Sequence, residues 1–256
     1  MYQDWLSTVQ FKWTPILTYT RRYLALLDWF EENIEPVAFT DRPDKQAVGV
    51  ALVAPDLRLV VSRSGMILES GLSGLAIEKL MPAVTGVFEV MNPSSVLATQ
   101  YMSIGTVSLR NANYYEQCSR FGVIAAGDGF NGSDQWRVAD GSALVDLLSQ
   151  AMKVQVEWGV VESDELLERL RNPTMSRLNH SAVGVERASI ARNTTPGRDV
   201  PSVSVYTDQV GLWRTGGGVN EVSDVMKRVA EAQQTASSIG MRLAEKFCSE
   251  ACEGAR

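Results

Sequence analysis

The chain has 256 residues, of which 45% are hydrophobic and 21% charged, and 24 basic against 30 acidic side chains leave it at −6. That composition builds a core and excludes a disordered chain, which would carry less apolar content. The acidic balance disfavours general nucleic-acid binding, whose affinity comes mainly from neutralised phosphates. Three cysteines, Cys118, Cys248 and Cys252, make no disulfide framework in so long a chain, so a reducing compartment is expected. Met1 to Trp13 lack a basic start followed by an apolar run, and no uncharged apolar stretch reaches a bilayer span; the expected location is the cytoplasm, with no membrane.

In chain order, Val-Gln-Phe-Lys-Trp at 9–13 alternates apolar and polar residues as a half-buried strand does. Thr14-Pro15 offers a cap and a first-turn proline for a helix whose apolar face is Tyr23, Leu26, Leu27, Phe30 and Ile34. Ala47 to Val50 reads as a strand, and Val60 to Glu69 as a strand pair turning at Ser64-Gly65. After Gly71-Leu72-Ser73-Gly74 a helix carries Ile77, Leu80, Met81 and Val84, and Pro82 within it predicts a kink or a split. Val96–Tyr101, Gly105–Leu109, Phe121–Ala125 and Gln135–Val138 read as short strands around a turn-rich loop from Gly127 to Asp134. Asp140-Gly141-Ser142 opens a predicted short helix running to Met152. Val-Gln-Val-Glu-Trp at 154–158 is again a strand, followed by a helix capped by Ser163 and stopped at Asn172-Pro173. Ala182 to Val185 repeats the sequence of Ala47 to Val50, and Val203 to Arg214 reads as a strand pair turning at Asp208-Gln209. Beyond Gly216-Gly217-Gly218 the last helix bears a stripe of Val222, Val225, Met226, Val229, Ala236, Ile239, Leu243 and Phe247. At 1.5 Å per residue such a helix is about 40 Å long, enough to cross a whole sheet.

Several of these segments recur in the same order. The strand at 9–13 and the helix positions Ile77, Leu80, Met81 and Val84 lie 145 residues before the strand at 154–158 and Val222, Val225, Met226 and Val229. Internal repetition is a signal at the level of the fold. The sequence therefore predicts an α+β protein of two pseudo-repeated β-α-β-β-β-α units, with antiparallel sheets carrying helices on one face and a long C-terminal helix. The predicted halves are 1–94 and 141–256, bridged by an unduplicated strand-rich segment at 95–140.

The closing pattern, Val203-Ser204-Val205-Tyr206 followed by the helix from Val222 through Phe247, resembles a sporadically distributed, uncharacterised bacterial family of about this length. Ser204 stands near the place of that family's acidic residue, and the family's proline-rich start is missing. The resemblance covers the last third of the chain. It implies a bacterial or mobile-element origin and an accessory role, with no activity attached; bacterial defence or a phage-related assembly is the expected setting. The duplicated order of strand, helix, strands and helix is also similar to the TATA-binding-protein saddle, a likeness of topology that leaves function open. Saddle proteins insert phenylalanine wedges into the minor groove, whereas Phe30 and Phe88 here sit on predicted helix faces and read as core.

Chemistry is sparse. The one histidine, His180, sits in Asn179-His180-Ser181 with no partner motif beside it. No Gly-x-Ser-x-Gly elbow surrounds Ser73. Cys248 and Cys252 share a helix face, but two thiols fall short of a structural zinc set. Asp128, Asn131 and Asp134 lack the alternation and closing glutamate of a calcium loop and read as turn residues. The triple glycine at 216–218 precedes a helix without any nucleotide-binding fingerprint. The feature that stands out is electrostatic. Between Arg169 and Arg198 lie six arginines (Arg169, Arg171, Arg177, Arg187, Arg192 and Arg198) and one acid, Glu186, a local net of +5. Guanidinium forks suit carboxylates and phosphates; a solvated edge strand guarded by charge is the plainer alternative. The expected function is a non-enzymatic binding protein that contacts an acidic protein or phosphate-bearing partner through Arg177, Arg187, Arg192, Arg198 and His180, with no cofactor and no metal, or that self-associates. The alternative is an enzyme or small-ligand protein with a pocket between a curved sheet and the long helix.

Overall fold

A strand with one buried face must alternate, and a central strand between two neighbours must also satisfy its backbone on both edges. The computed structural model, which describes residues 2–34, 38–42, 46–51, 57–70, 77–109, 112–126, 141–171, 200–213 and 221–253, shows where these demands are met. Its elements are β1 (Tyr2–Trp13), α1 (Tyr19–Asn33), β2 (Ala38–Arg42), β3 (Ala47–Ala51), β4 (Leu57–Ser62), β5 (Gly65–Ser70), α2 (Ile77–Met91), β6 (Val96–Ser108), α3 (Tyr114–Ala126), β7 (Ser142–Leu148), β8 (Met152–Glu162), α4 (Ser163–Arg171), β9 (Val203–Trp213) and α5 (Val222–Glu253). Among the described residues the strands make a single sheet in the order β2-β3-β4-β5-β1-β6-β9-β8-β7, antiparallel at every pairing.

The expected mixture of helix and antiparallel sheet, with a long C-terminal helix, is present. One sheet replaces the several expected, because β1 and β6 pair along nearly their whole length and join the two ends. The 145-residue offset does not survive as an equivalence of position. Val9 lies in β1, the fifth strand across, and Val154 in β8, the eighth. Both belong to a single cross-strand row, Leu68–Val9–Tyr101–Gly211–Val154–Leu147. Their similar patterns reflect a shared environment beneath one helix layer. Met81 and Met226, paired by the same offset, are 39% and 4% exposed.

Four local readings change. Residues 142–148 form a strand where the sequence predicts a helix. Its Ala and Leu residues favour helix, but pairing Val145 with Val156 and Leu147 with Val154 overrides that preference. Residues 121–125 lie in a helix instead of a strand. Cys118 and Phe121, three apart, bury one face of α3, and Asn113 Oδ1 accepts the Glu116 N–H at 3.2 Å as a cap. Residues 203–213 run straight through Asp208-Gln209, and 96–108 run straight through Met102-Ser103-Ile104, each as one long strand. Two smaller shifts accompany these. α1 starts at Tyr19, while Thr14 donates its backbone N–H to Ser95 O at 3.1 Å. α2 runs unbroken through Pro82. The segments containing Gln135–Val138 and Ala182–Val185 lie outside the described residues.

The alternation sorts the packing. Val9, Phe11, Trp13, Tyr101, Val154, Val156, Trp158 and Val205 point to one face and share a core with α1, α2, α3 and α5. Along that layer α2 touches α1 and α5, and α5 touches α3. Trp5, Leu6, Ile104, Val161 and Tyr206 point to the opposite face, where Leu166 and Leu170 of α4 cover them. With 32 residues, α5 is about 48 Å long and crosses the middle of the sheet. No helix among the described residues is long and apolar enough to cross a membrane.

Candidate functional site

Two groups of polar side chains meet inside this architecture, one on each face of the sheet. On the α5 face the inward positions of β1, β6 and β9 carry Tyr2, Asp4, Ser7, Tyr101, Ser103, Thr207 and Gln209. The Tyr2 hydroxyl shares a hydrogen bond of 2.9 Å with Thr207 Oγ1. Gln209 is fully buried. Its Nε2 donates to Ala236 O of α5 at 2.9 Å and to Thr207 Oγ1 at 3.3 Å, while its Oε1 accepts the Tyr101 hydroxyl at 3.4 Å. Ser103 Oγ donates to Asp4 Oδ1 at 2.8 Å.

Two glycines make room for the first tyrosine. A Cβ on Gly240 of α5 would fall 2.1 Å from Tyr2 Cε2, and one on Gly105 of β6 would fall 2.1 Å from the Tyr2 hydroxyl. Gly211 of β9 serves Tyr101 in the same way, at 1.9 Å from Cε1. Burial, together with the nearby Asp4 carboxyl, pushes the Tyr2 and Tyr101 hydroxyls well above their ordinary pKa of 10.0. Desolvation likewise raises Asp4 above its ordinary 3.8, against the hydrogen bond of Ser103.

The network fastens α5 at its middle. Nearer the helix start, Arg228 Nη1 donates to Thr99 Oγ1 of β6 at 2.6 Å, and its guanidinium lies 5.8 Å from the Trp213 ring. A cavity between sheet and α5, lined by Ser7, Val9, Tyr101, Ser103, Gln233 and Ala236 among others, has a volume of about 10 Å³. That is the size of one water molecule. The arrangement can hold α5 in register.

On the opposite face α4 is pinned by Arg169, the first arginine of the basic run. Its Nη1 pairs with Glu157 Oε1 of β8 at 3.0 Å, and its Nε and Nη2 each reach Glu165 Oε1 at 2.9 Å. The guanidinium lies 4.4 Å from the Tyr206 ring, and the Tyr206 hydroxyl donates to Glu157 Oε1 at 2.7 Å. Burial works against the charge on Arg169, but Tyr206, Glu157 and Glu165 hold its pKa above the ordinary value. Two carboxylates around one guanidinium leave this cluster at −1. Arg169 is thereby committed to internal pairs.

Arg177, Arg187, Arg192, Arg198 and His180 lie outside the described residues, as do the triple glycine at 216–218 and the loop from Asp128 to Asp134. Of the cysteines, Cys118 is buried in α3 and Cys248 is exposed on α5. The polar network under α5 went unread in the sequence. Its signal was Thr207 and Gln209 continuing the inward phase of Val203 and Val205, polar residues where alternation asks for apolar ones.

No family model matches this sequence, and no curated protein matches it. Among solved structures the chain is similar to one described as Methanococcus jannaschii TBP. The two are 10% identical over 91% of this chain and 98% of that one, with a TM-score of 0.29. This weak likeness in shape carries no argument about function.

Proposed function

We propose that this chain is a non-enzymatic binding protein, an accessory that contacts an acidic protein or a phosphate-bearing partner through Arg177, Arg187, Arg192 and Arg198, with His180 beside them. One observation supports the reading over an enzyme. Among the described residues, Tyr2, Tyr101 and Gln209 pack the space between the sheet and the middle of the long helix, and the cavity beside them, lined by Ser7, Tyr101, Gln233 and Ala236, keeps about 10 Å³. Small-molecule sites need on the order of 300–1,000 Å³. With Arg169 committed to Glu157 and Glu165, an acidic partner falls to the arginines that follow it. Bacterial defence or a mobile-element assembly in the cytoplasm is the setting in which such an accessory works.

The same proposal reads the sheet as two related halves meeting at β1 and β6. The first run, β1 to α2, lays its strands out as 2-3-4-5-1, and the second, β6 to α5, as 6-9-8-7. In each run the last strand returns to pair with the first, β5 with β1 and β9 with β6, and a helix follows. A duplication in this frame starts its second unit near Val96, in place of 141.

The test is capture from native extract with the unaltered chain and with Arg177, Arg187 and Arg192 all changed to Glu. The reading expects a partner that the altered chain loses while keeping the circular dichroism of the original. Equal capture by both chains removes the arginine segment as the site. Failure of the unaltered chain to capture anything, together with a monomer by light scattering, removes the binding reading.

A further inference from the structure

We draw no further inference here: the strongest candidate, the outer edge of β7 with Leu144, Val145, Leu147 and Leu148 exposed along it, carries nothing because nothing among the described residues shows what covers that edge.

Discussion

Tyr2 and Thr207, 205 positions apart in the chain, share a 2.9 Å hydrogen bond beneath α5. The bond ties the first strand to the last one across β6, which lies between them. Gln209 extends the tie to Ala236 of α5. Replacing Gln209 with Ala leaves the buried Tyr101 hydroxyl without its acceptor and removes the side-chain bond to the Ala236 carbonyl, which keeps its helical partner, at a cost of about 1–3 kcal/mol for the hydroxyl left bare. The expected result is a lower urea midpoint with an unchanged slope. A cycle of Tyr2→Phe and Thr207→Val should show a coupling of about 0.5–1.5 kcal/mol. Strict additivity would mean the bond contributes nothing.

Gly240 offers a test with an unusual sign. In the interior of a helix, Gly→Ala ordinarily stabilises by about 1 kcal/mol. Here the added Cβ would lie 2.1 Å from the Tyr2 ring, so Gly240→Ala should destabilise by roughly 1–3 kcal/mol, as overpacking does. Adding Tyr2→Ala to that chain should recover part of the loss. Thermal unfolding of the two single variants and the double variant decides it. A Gly240→Ala chain as stable as the parent would show that α5 does not rest on Tyr2.

Arg169 separates structure from binding within one run of arginines. Arg169→Ala leaves Glu157 and Glu165 facing each other and uncovers the Tyr206 ring. A charged hydrogen bond contributes about 1.5–3 kcal/mol; a side chain still 19% exposed places this one toward the lower end. The variant should be less stable, yet capture the same partner at temperatures where it stays folded. Loss of capture by folded Arg169→Ala would move the contact site onto α4.

The face of α5 was legible because Val225, Met226, Val229, Ala236 and Phe247 repeat at helical spacing and are all buried. Short alternating strands such as Val154 to Trp158 were equally plain. Alternation identifies a strand but not its neighbours, so Val9 and Val154 look equivalent in sequence yet lie on strands separated by β6 and β9. The long strands were misread where they are most polar. Asp208-Gln209 has the composition of a turn, yet Gln209 is buried because Tyr101, Thr207 and Ala236 all engage its amide. Two of those partners, Ala236 and Tyr101, lie 27 and 108 positions away, outside any local window. Residues 142–148 failed for a related reason, since only the pairing with β8 outweighs their helical preference.

The buried phenols and Asp4 predict responses of the same sign at the two ends of the pH scale, stability falling as pH rises. Tyr2, Tyr101 and Tyr206 have hydroxyls raised above 10.0, by burial first in each case. Their contribution is present in full below pH 10 and is lost as pH rises from there toward the folded values, because only the unfolded chain can release those protons. Each tyrosine adds a slope of about 1.4 kcal/mol per pH unit. Alkaline unfolding should therefore be steep, with a component of tyrosinate absorbance appearing together with the loss of circular dichroism. Tyr101→Phe should make it shallower. Asp4 is also raised, from 3.8, so its favourable contribution is present below that value and lost as pH rises through the folded one. At neutral pH its buried charge is a net cost. Asp4→Asn should then stabilise the chain at pH 7, with the gain shrinking as pH falls toward the ordinary carboxyl range. Urea midpoints across the acid limb measure this directly. A variant less stable than the parent at neutral pH would show that the Ser103 bond outweighs the desolvation of the carboxylate.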